Sequence, residues 1–285
     1  MSRVYFITGT SSGFGRALAE AVLARGDRAV LTARRPESVA ELVSAYPDTA
    51  ISVRLDVTDA AARTFAVSAA LDKFGRIDVL VNNAGRGSLG AFEEFSPEQF
   101  RAQMEVNFFG SVEMTRAVLP VMKRQGSGHI LSITSIGGLV SMGGFALYCA
   151  SKFALEGFCE GLRDEVAPQG IRVTIVEPGA FRTDFAGDSN LRPETHLAEY
   201  DPVIEPLRQY LYGGNGKQPG DPHRAALAMI DVVESEAPPL RLMLGADAYG
   251  LWEFKLAQRQ EEFARWRSVG EATGFPDAEA RAIGG

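Results

Sequence analysis

The stretch that most constrains this chain lies at its start. An apolar run, Val4-Tyr5-Phe6-Ile7-Thr8, leads directly into Gly9-Thr10-Ser11-Ser12-Gly13-Phe14-Gly15 and then into Arg16-Ala17-Leu18-Ala19-Glu20-Ala21-Val22-Leu23-Ala24. The first run reads as a buried strand and the last as a helix. Glycines between them permit a tight turn and close backbone approach, and the helix N-terminus offers unpaired N–H groups to a pyrophosphate. Three glycines and three hydroxyl residues in seven positions are a costly way to build a plain turn. Gly26-Asp27 closes the helix and residues 28–32 supply a second strand, completing a βαβ unit. Such a unit commits the chain to a parallel sheet with helices on its faces.

The rest of the sequence continues that alternation. Residues 51–55 and 77–81 read as further strands, followed by Asp56-Val57 and Asn82-Asn83-Ala84-Gly85 respectively. Asp56 suits either an adenine amino group or the cap of a helix starting near Thr58. The asparagine pair suits either a flat ligand or the backbone at the strand end. Ser96-Pro97 caps a long helix expected to run to about Lys123, through an awkward mid-helix Asn107. Residues 129–133 and 171–176 read as strands, then Glu177-Pro178-Gly179-Ala180-Phe181-Arg182-Thr183 at a strand's carboxyl end, where open α/β sheets bind ligands. Asp221-Pro222 caps another helix, residues 240–244 form a last strand, and residues 249–267 an amphipathic terminal helix. No linker splits the chain, so one domain is expected over 1–285. It includes a substrate-lid segment at about 184–220 and a C-terminal extension at about 245–285.

Between Ser132 and Lys152 a strand passes through a glycine-rich loop into a helix carrying Tyr148 and Lys152. Residues four apart lie on one helix face, so an ammonium stands beside a phenol, and Ser135 meets that phenol from the strand end. Free tyrosine titrates near ~10, and a neighbouring cation favours the phenolate. A hydroxyl, a phenol and an ammonium so arranged suit proton transfer at an oxygen whose carbon gains or loses a hydride. A half-buried ring with a solvated lysine is the plainer alternative for the pair taken alone.

The motifs occur in order: Thr8-Gly9 with Gly13 and Gly15; Asp56; Asn82-Asn83-Ala84-Gly85; Asn107; Ser135; Tyr148 with Lys152; Pro178-Gly179 with Thr183. As a set the sequence resembles the short-chain dehydrogenase/reductase family over residues 4–244. The resemblance implies a Rossmann-type, doubly wound α/β fold around one twisted parallel sheet of about seven strands. It implies that Tyr148 is the acid–base and that Lys152 depresses its pKa and binds the nicotinamide ribose. Ser135 would polarise the substrate oxygen, and Asn107 would distort its helix and hold a relay water. The cofactor set it implies is Gly9, Ser11, Ser12, Gly13, Phe14, Gly15, Asp56, Val57, Asn83, Ala84, Gly85, Tyr148, Lys152, Pro178, Gly179 and Thr183. The second strand ends in Ala33-Arg34-Arg35, with no carboxylate before Glu37. An acidic residue there favours NAD, whereas a guanidinium grips the 2′-phosphate of NADP bidentately, so Arg34 points to NADP over NAD.

The formal net charge of -7 and the absence of a basic run argue against nucleic-acid and membrane partners. Cys149 and Cys159, ten apart on one helix, face different ways, which suggests neither a disulfide nor a metal site. A strand begins almost at residue 1 and no apolar run reaches the ~20 residues of a membrane span, so a cytoplasmic protein is expected. Leu139, Val140, Met142, Phe145, Phe181 and Phe185 are the expected crevice lining, which favours a bulky or lipophilic carbonyl or secondary alcohol as substrate. A homo-oligomer, dimer or tetramer, is expected through the helices near Asn107 and Tyr148. The alternative function is an NADP(H)-binding sensor or scaffold without turnover.

Overall fold

In a computed structural model, which describes residues 2–187 and 189–275, the N-terminal unit is β1 (Val4–Ile7), α1 (Gly13–Ala24) and β2 (Arg28–Ala33). After α2 (Ala40–Ala45) and β3 (Ala50–Arg54) come α3 (Ala60–Phe74), β4 (Val79–Asn82), α4 (Pro97–Met104), α5 (Gly110–Gln125) and β5 (Gly128–Ile133). The chain continues through α6 (Ala146–Val166), β6 (Ile171–Pro178), α7 (Asp201–Gly213), α8 (Pro222–Glu234), β7 (Arg241–Leu244) and α9 (Ala246–Glu271). The strands form one parallel sheet in the order β3-β2-β1-β4-β5-β6-β7. The order reverses beside β1, which brings the ends of β1 and β4 to a topological switch point, where such sheets bind ligands.

The sheet is apolar on both faces because helices cover both. On one side Ile7, Leu31, Val81 and Leu131 pack with α1 and α8. On the other Phe6, Val30, Leu80 and Ile130 pack with α3, α5 and α6. Each such side chain, essentially inaccessible, contributes roughly 1.5–3 kcal/mol by leaving water.

The helix expected from Ser96 to Lys123 is not uniform. Ser96 and Gln99 form the capping box of α4, but Glu105–Phe109 is a π-helical turn before α5 begins. A mid-helix asparagine that competes for backbone bonds belongs at such a turn. Asp56 caps no helix: its Oδ1 accepts from Thr58 N and Oγ1, and Asp59 caps α3 through Ala61 N and Ala62 N. The terminal helix is longer than expected and is not amphipathic in packing, because only Ala248 on it is buried. The expected C-terminal extension is followed to residue 275, and its last ten residues lie outside the described ones. Among the described residues no helix is long and apolar enough to cross a membrane. Both cysteines are free and buried, Cys149 with Sγ 3.6 Å from Val140 O.

Candidate active site

The glycine turn after β1 is a cradle in which side chains have no room. Gly9 and Gly13 take φ of 70° and 60°. A Cβ on Gly9 would lie 3.0 Å from Ala84 Cα, one on Gly13 would lie 3.3 Å from Thr183 Cβ, and one on Gly15 would overlap Asn83 Nδ2 and Gly9 O. Asn83 stitches the cradle, its Nδ2 donating to Thr8 O at 2.8 Å and Gly9 O at 2.9 Å. Ala84 N and Asn83 N both donate to Thr8 Oγ1 at 2.9 Å. Of the pair, Asn83 takes the backbone role, whereas Asn82 Nδ2 donates to Thr115 Oγ1 at 2.9 Å. No side chain caps the first turn of α1, since Ser12 makes no such bond and the turn holds no acid. An uncapped helix start beside three close-packed glycines fits a pyrophosphate. Ser11 and Ser12 stand exposed at its rim.

Phe14 packs edge-on against Phe181, ring centroids 5.1 Å apart. Phe181 is thereby part of the core under the cradle rather than a crevice wall as expected. Val57 is also buried, with its carbonyl taken by Arg63 at 2.7 Å. Pro178 closes β6 with its carbonyl 3.4 Å from Ser135 Oγ, and Gly179 N is bound to Leu244 O. Arg34 is exposed at the end of β2. Burial pushes the Asp56 carboxyl upward, but the Thr58 amide and hydroxyl, with the charges of Arg34 and Arg54, hold it below its usual range.

The proton-transfer candidates converge from β5, the π turn and α6. A Cβ on Gly137 would meet Tyr148 Cε1 at 3.1 Å and Ser135 Oγ at 3.3 Å, so the two hydroxyl residues share one small gap. Lys152 Nζ donates to Ile133 O at 2.8 Å and lies 5.8 Å from the Tyr148 ring centre. Gly85 fills the remaining side, where a Cβ would stand 3.3 Å from Asn107 Oδ1 and 3.6 Å from Lys152 Nζ. Asn107 donates from Nδ2 to Arg86 O (2.9 Å) and Ser151 Oγ (3.0 Å) and accepts Arg86 N at 2.9 Å. Its side chain is committed to protein groups, which ties the π turn to α6 and to the segment after β4.

Burial raises the Tyr148 pKa above the ordinary tyrosine value, more than the Ser135 hydroxyl lowers it. Burial also weakens the ammonium, bringing Lys152 down to about 8 against the opposing pull of Glu156. The enclosure is made by residues 184–220, described except at residue 188. Phe185 lies edge-on to Tyr148 with centroids 5.1 Å apart, leaving the tyrosine 8% exposed. Leu191 N bonds to Gly87 O at 2.8 Å, and Gly87 has no room for a Cβ beneath Phe185 and Asn190. Of the other expected lining residues Val140 is buried, Leu139 and Phe145 are half-buried, and Met142 points outward at 42% exposed.

Sequence reasoning passed over several participants. Ser151 links Tyr148 O (2.6 Å) to Asn107, and its signal was a serine inside an otherwise good helix. Arg86 is half-buried with Nε lacking any acceptor, and burial together with the nearby Arg34 charge lowers its pKa. Glu94 anchors the covering segment, and Arg241 draws Glu177 together with Glu156, which stands one helical turn along α6 from Lys152.

The comparisons agree with this geometry. A family model described as short chain dehydrogenase matches residues 3–194. The chain is similar to Oxidoreductase BOA17 of Botryotinia fuckeliana, 40% identical over 87% of this chain and 90% of that one. It is also similar to the 3-ketodihydrosphingosine reductase of Bacteroides thetaiotaomicron, 36% identical over 85% and 88%. Among solved structures, a short-chain dehydrogenase from Streptomyces avermitilis superposes with a TM-score of 0.91 at 46% identity, over 96% of this chain and all of that one.

Proposed function

The chain belongs to the short-chain dehydrogenase family, and on that premise we propose that it is an NADP(H)-dependent oxidoreductase acting on a bulky or lipophilic ketone or secondary alcohol. The observation that carries the reading is the convergence of Ser135 and Lys152 on Tyr148, whose ring is buried against Phe185. The cofactor would lie along the Gly9, Gly13 and Gly15 cradle and past Thr183, and its nicotinamide supplies or accepts the hydride. In reduction Tyr148 gives its proton to the carbonyl oxygen, and the Ser135 hydroxyl donates a hydrogen bond to the same atom. Lys152, a buried cation beside the ring, stabilises the phenolate that forms. Asn107 acts at one remove by fixing Ser151, α6 and the chain after β4.

NADP over NAD draws support from Arg34 and from Arg86, two guanidiniums near each other with no carboxylate acting on Arg86. A phosphate between them answers both the repulsion and the unpaired Nε. The lipophilic substrate class draws support from the Phe185 ring against Tyr148, and from a relative named 3-ketodihydrosphingosine reductase. Self-association through α5 and α6 belongs to the same reading, with Phe109 and Phe153 turned outward. The test is NADPH consumption by purified protein against lipophilic and charged carbonyls, with NADH in parallel. Fastest turnover with NADPH and an apolar ketone is expected. A preference for phosphorylated or carboxylated small substrates would refute the substrate class, and faster turnover with NADH the cofactor assignment.

A further inference from the structure

One turn along α6 from Lys152 stands Glu156, and both side chains are buried, at 6% and 4% exposed. Glu177, at the end of β6, is 1% exposed. Arg241 reaches both from β7, with Nη2 3.2 Å from Glu156 Oε2 and Nε 3.1 Å from Glu177 Oε1. Its Nη2 also lies 3.4 Å from Glu160 Oε2, an exposed carboxylate farther along α6. The cluster therefore sets three carboxylates against one guanidinium. Glu156 Oε1 is buried with no hydrogen-bond donor on it, and Glu177 Oε1, also buried, has only the Arg241 Nε contact, whose angle does not make a hydrogen bond. A single proton held between the two carboxyls would satisfy both, and like charges this close do not both ionise. Burial raises both carboxyls above the ordinary range, and Glu156 adds to the rise at Glu177.

The surroundings of Lys152 are otherwise short of negative charge. It faces Tyr148 and Cys159 on its own helix, Ile133 O from β5, Asn107 from the π turn and Gly85 from the segment after β4. Around Glu156 lie Thr134 from the end of β5, Gly138, where a Cβ would come within 2.8 Å of its Cγ, and Arg241. Asp247, at the start of α9, is engaged elsewhere, accepting Ala180 N at 2.7 Å. An unpaired buried ammonium loses its proton, so something must compensate it.

We propose that Glu156 is a positioning residue of the site: ionised, it is the counter-charge that keeps Lys152 an ammonium inside the protein, while Glu177 carries the pair's proton and Arg241 tethers both. The proposal takes its catalytic meaning from the role assigned to Lys152 above, but its test needs neither substrate nor turnover. The chain has five lysines, so protein labelled with 13C at lysine Cε gives a readable spectrum, with Lys152 identified through Lys152→Arg. Lys152 should titrate near pH 8. In Glu156→Gln its midpoint should fall by about one pH unit. Glu177→Gln should leave the midpoint in place or raise it, because Glu156 is then the group that holds the charge. The other four lysines should not move in either variant. An unmoved Lys152 midpoint in Glu156→Gln would overturn the proposal, and so would an equal fall in Glu177→Gln, which also serves if Glu156→Gln does not fold. If Lys152 responds as expected but no carbonyl is reduced, the proposed function fails and the counter-charge stands.

Discussion

In the function proposed above, the choice of NADP over NAD rests on two residues, Arg34 and Arg86. Arg34 follows β2 in sequence, and its place at a strand end was readable because it depends only on local order. Arg86 was not readable as its neighbour, since 52 residues and a sheet crossover separate the two. Replacing Arg34 with Met is expected to weaken NADPH about tenfold, ~1.4 kcal/mol, and to leave NADH binding unchanged. Fluorescence titration of both cofactors checks it, and an equal loss for both would mean that Arg34 shapes the loop instead of reading a phosphate. Ser135, Tyr148 and Lys152 were legible for the same local reason: a four-residue helical spacing and a strand end are short-range facts. The pKa of Tyr148 was not. Its direction depends on how completely Phe185 and the covering segment exclude water, and residues 37 positions away decide that.

Secondary elements were read well where one helix or strand determines its own period, and less well where packing intervenes. The βα alternation and all seven strands followed from apolar runs and glycine breaks. The π turn at Asn107 depends on partners in the β4 loop and α6, and the bare face of α9 on what the body leaves uncovered. The covering segment is held by a contact that sequence gives no hint of. Glu94, 1% exposed, accepts Leu197 N at 3.1 Å and Ala91 N at 2.8 Å, and lies 3.3 Å from Arg208 and 3.4 Å from His196. Burial pushes this carboxyl upward, but the two backbone donors and Arg208 hold it below the usual range. The latch is thus complete above the ordinary glutamate pKa and weakens as pH falls through the lowered value. In Glu94→Gln the Leu197 amide should exchange faster, by roughly thirtyfold for the ~2 kcal/mol of a charge-assisted bond. Unchanged exchange would show that the apolar contacts of Phe185 and Leu191 suffice to keep the segment down.

At the scale of the molecule, the parallel sheet puts every strand's carboxyl end on one edge, and the order reversal at β1 selects where on that edge the site lies. The same sheet buries a histidine. His129 on β5 is 4% exposed, with Nε2 2.9 Å from Thr174 Oγ1, and burial lowers its pKa to about 4, with Arg172 and Arg3 adding to the shift. The unfolded chain takes up this proton near ~6.5, so stability falls as pH drops from there to about 4, by at most roughly 3 kcal/mol. Urea unfolding at stepped pH should show His129→Gln losing less over that window than the parent protein. Equal losses would assign the acid sensitivity to carboxylates. The account as a whole turns on Tyr148 as the proton donor, and the most direct measurement is NADPH oxidation by Tyr148→Phe with NADPH binding followed on the same preparation. The account predicts a fall in turnover of about 10²–10⁴-fold or more with binding intact. Turnover within a factor of about two of the parent, with the cofactor still bound, would contradict it, since an effect that small is far below what a general acid contributes.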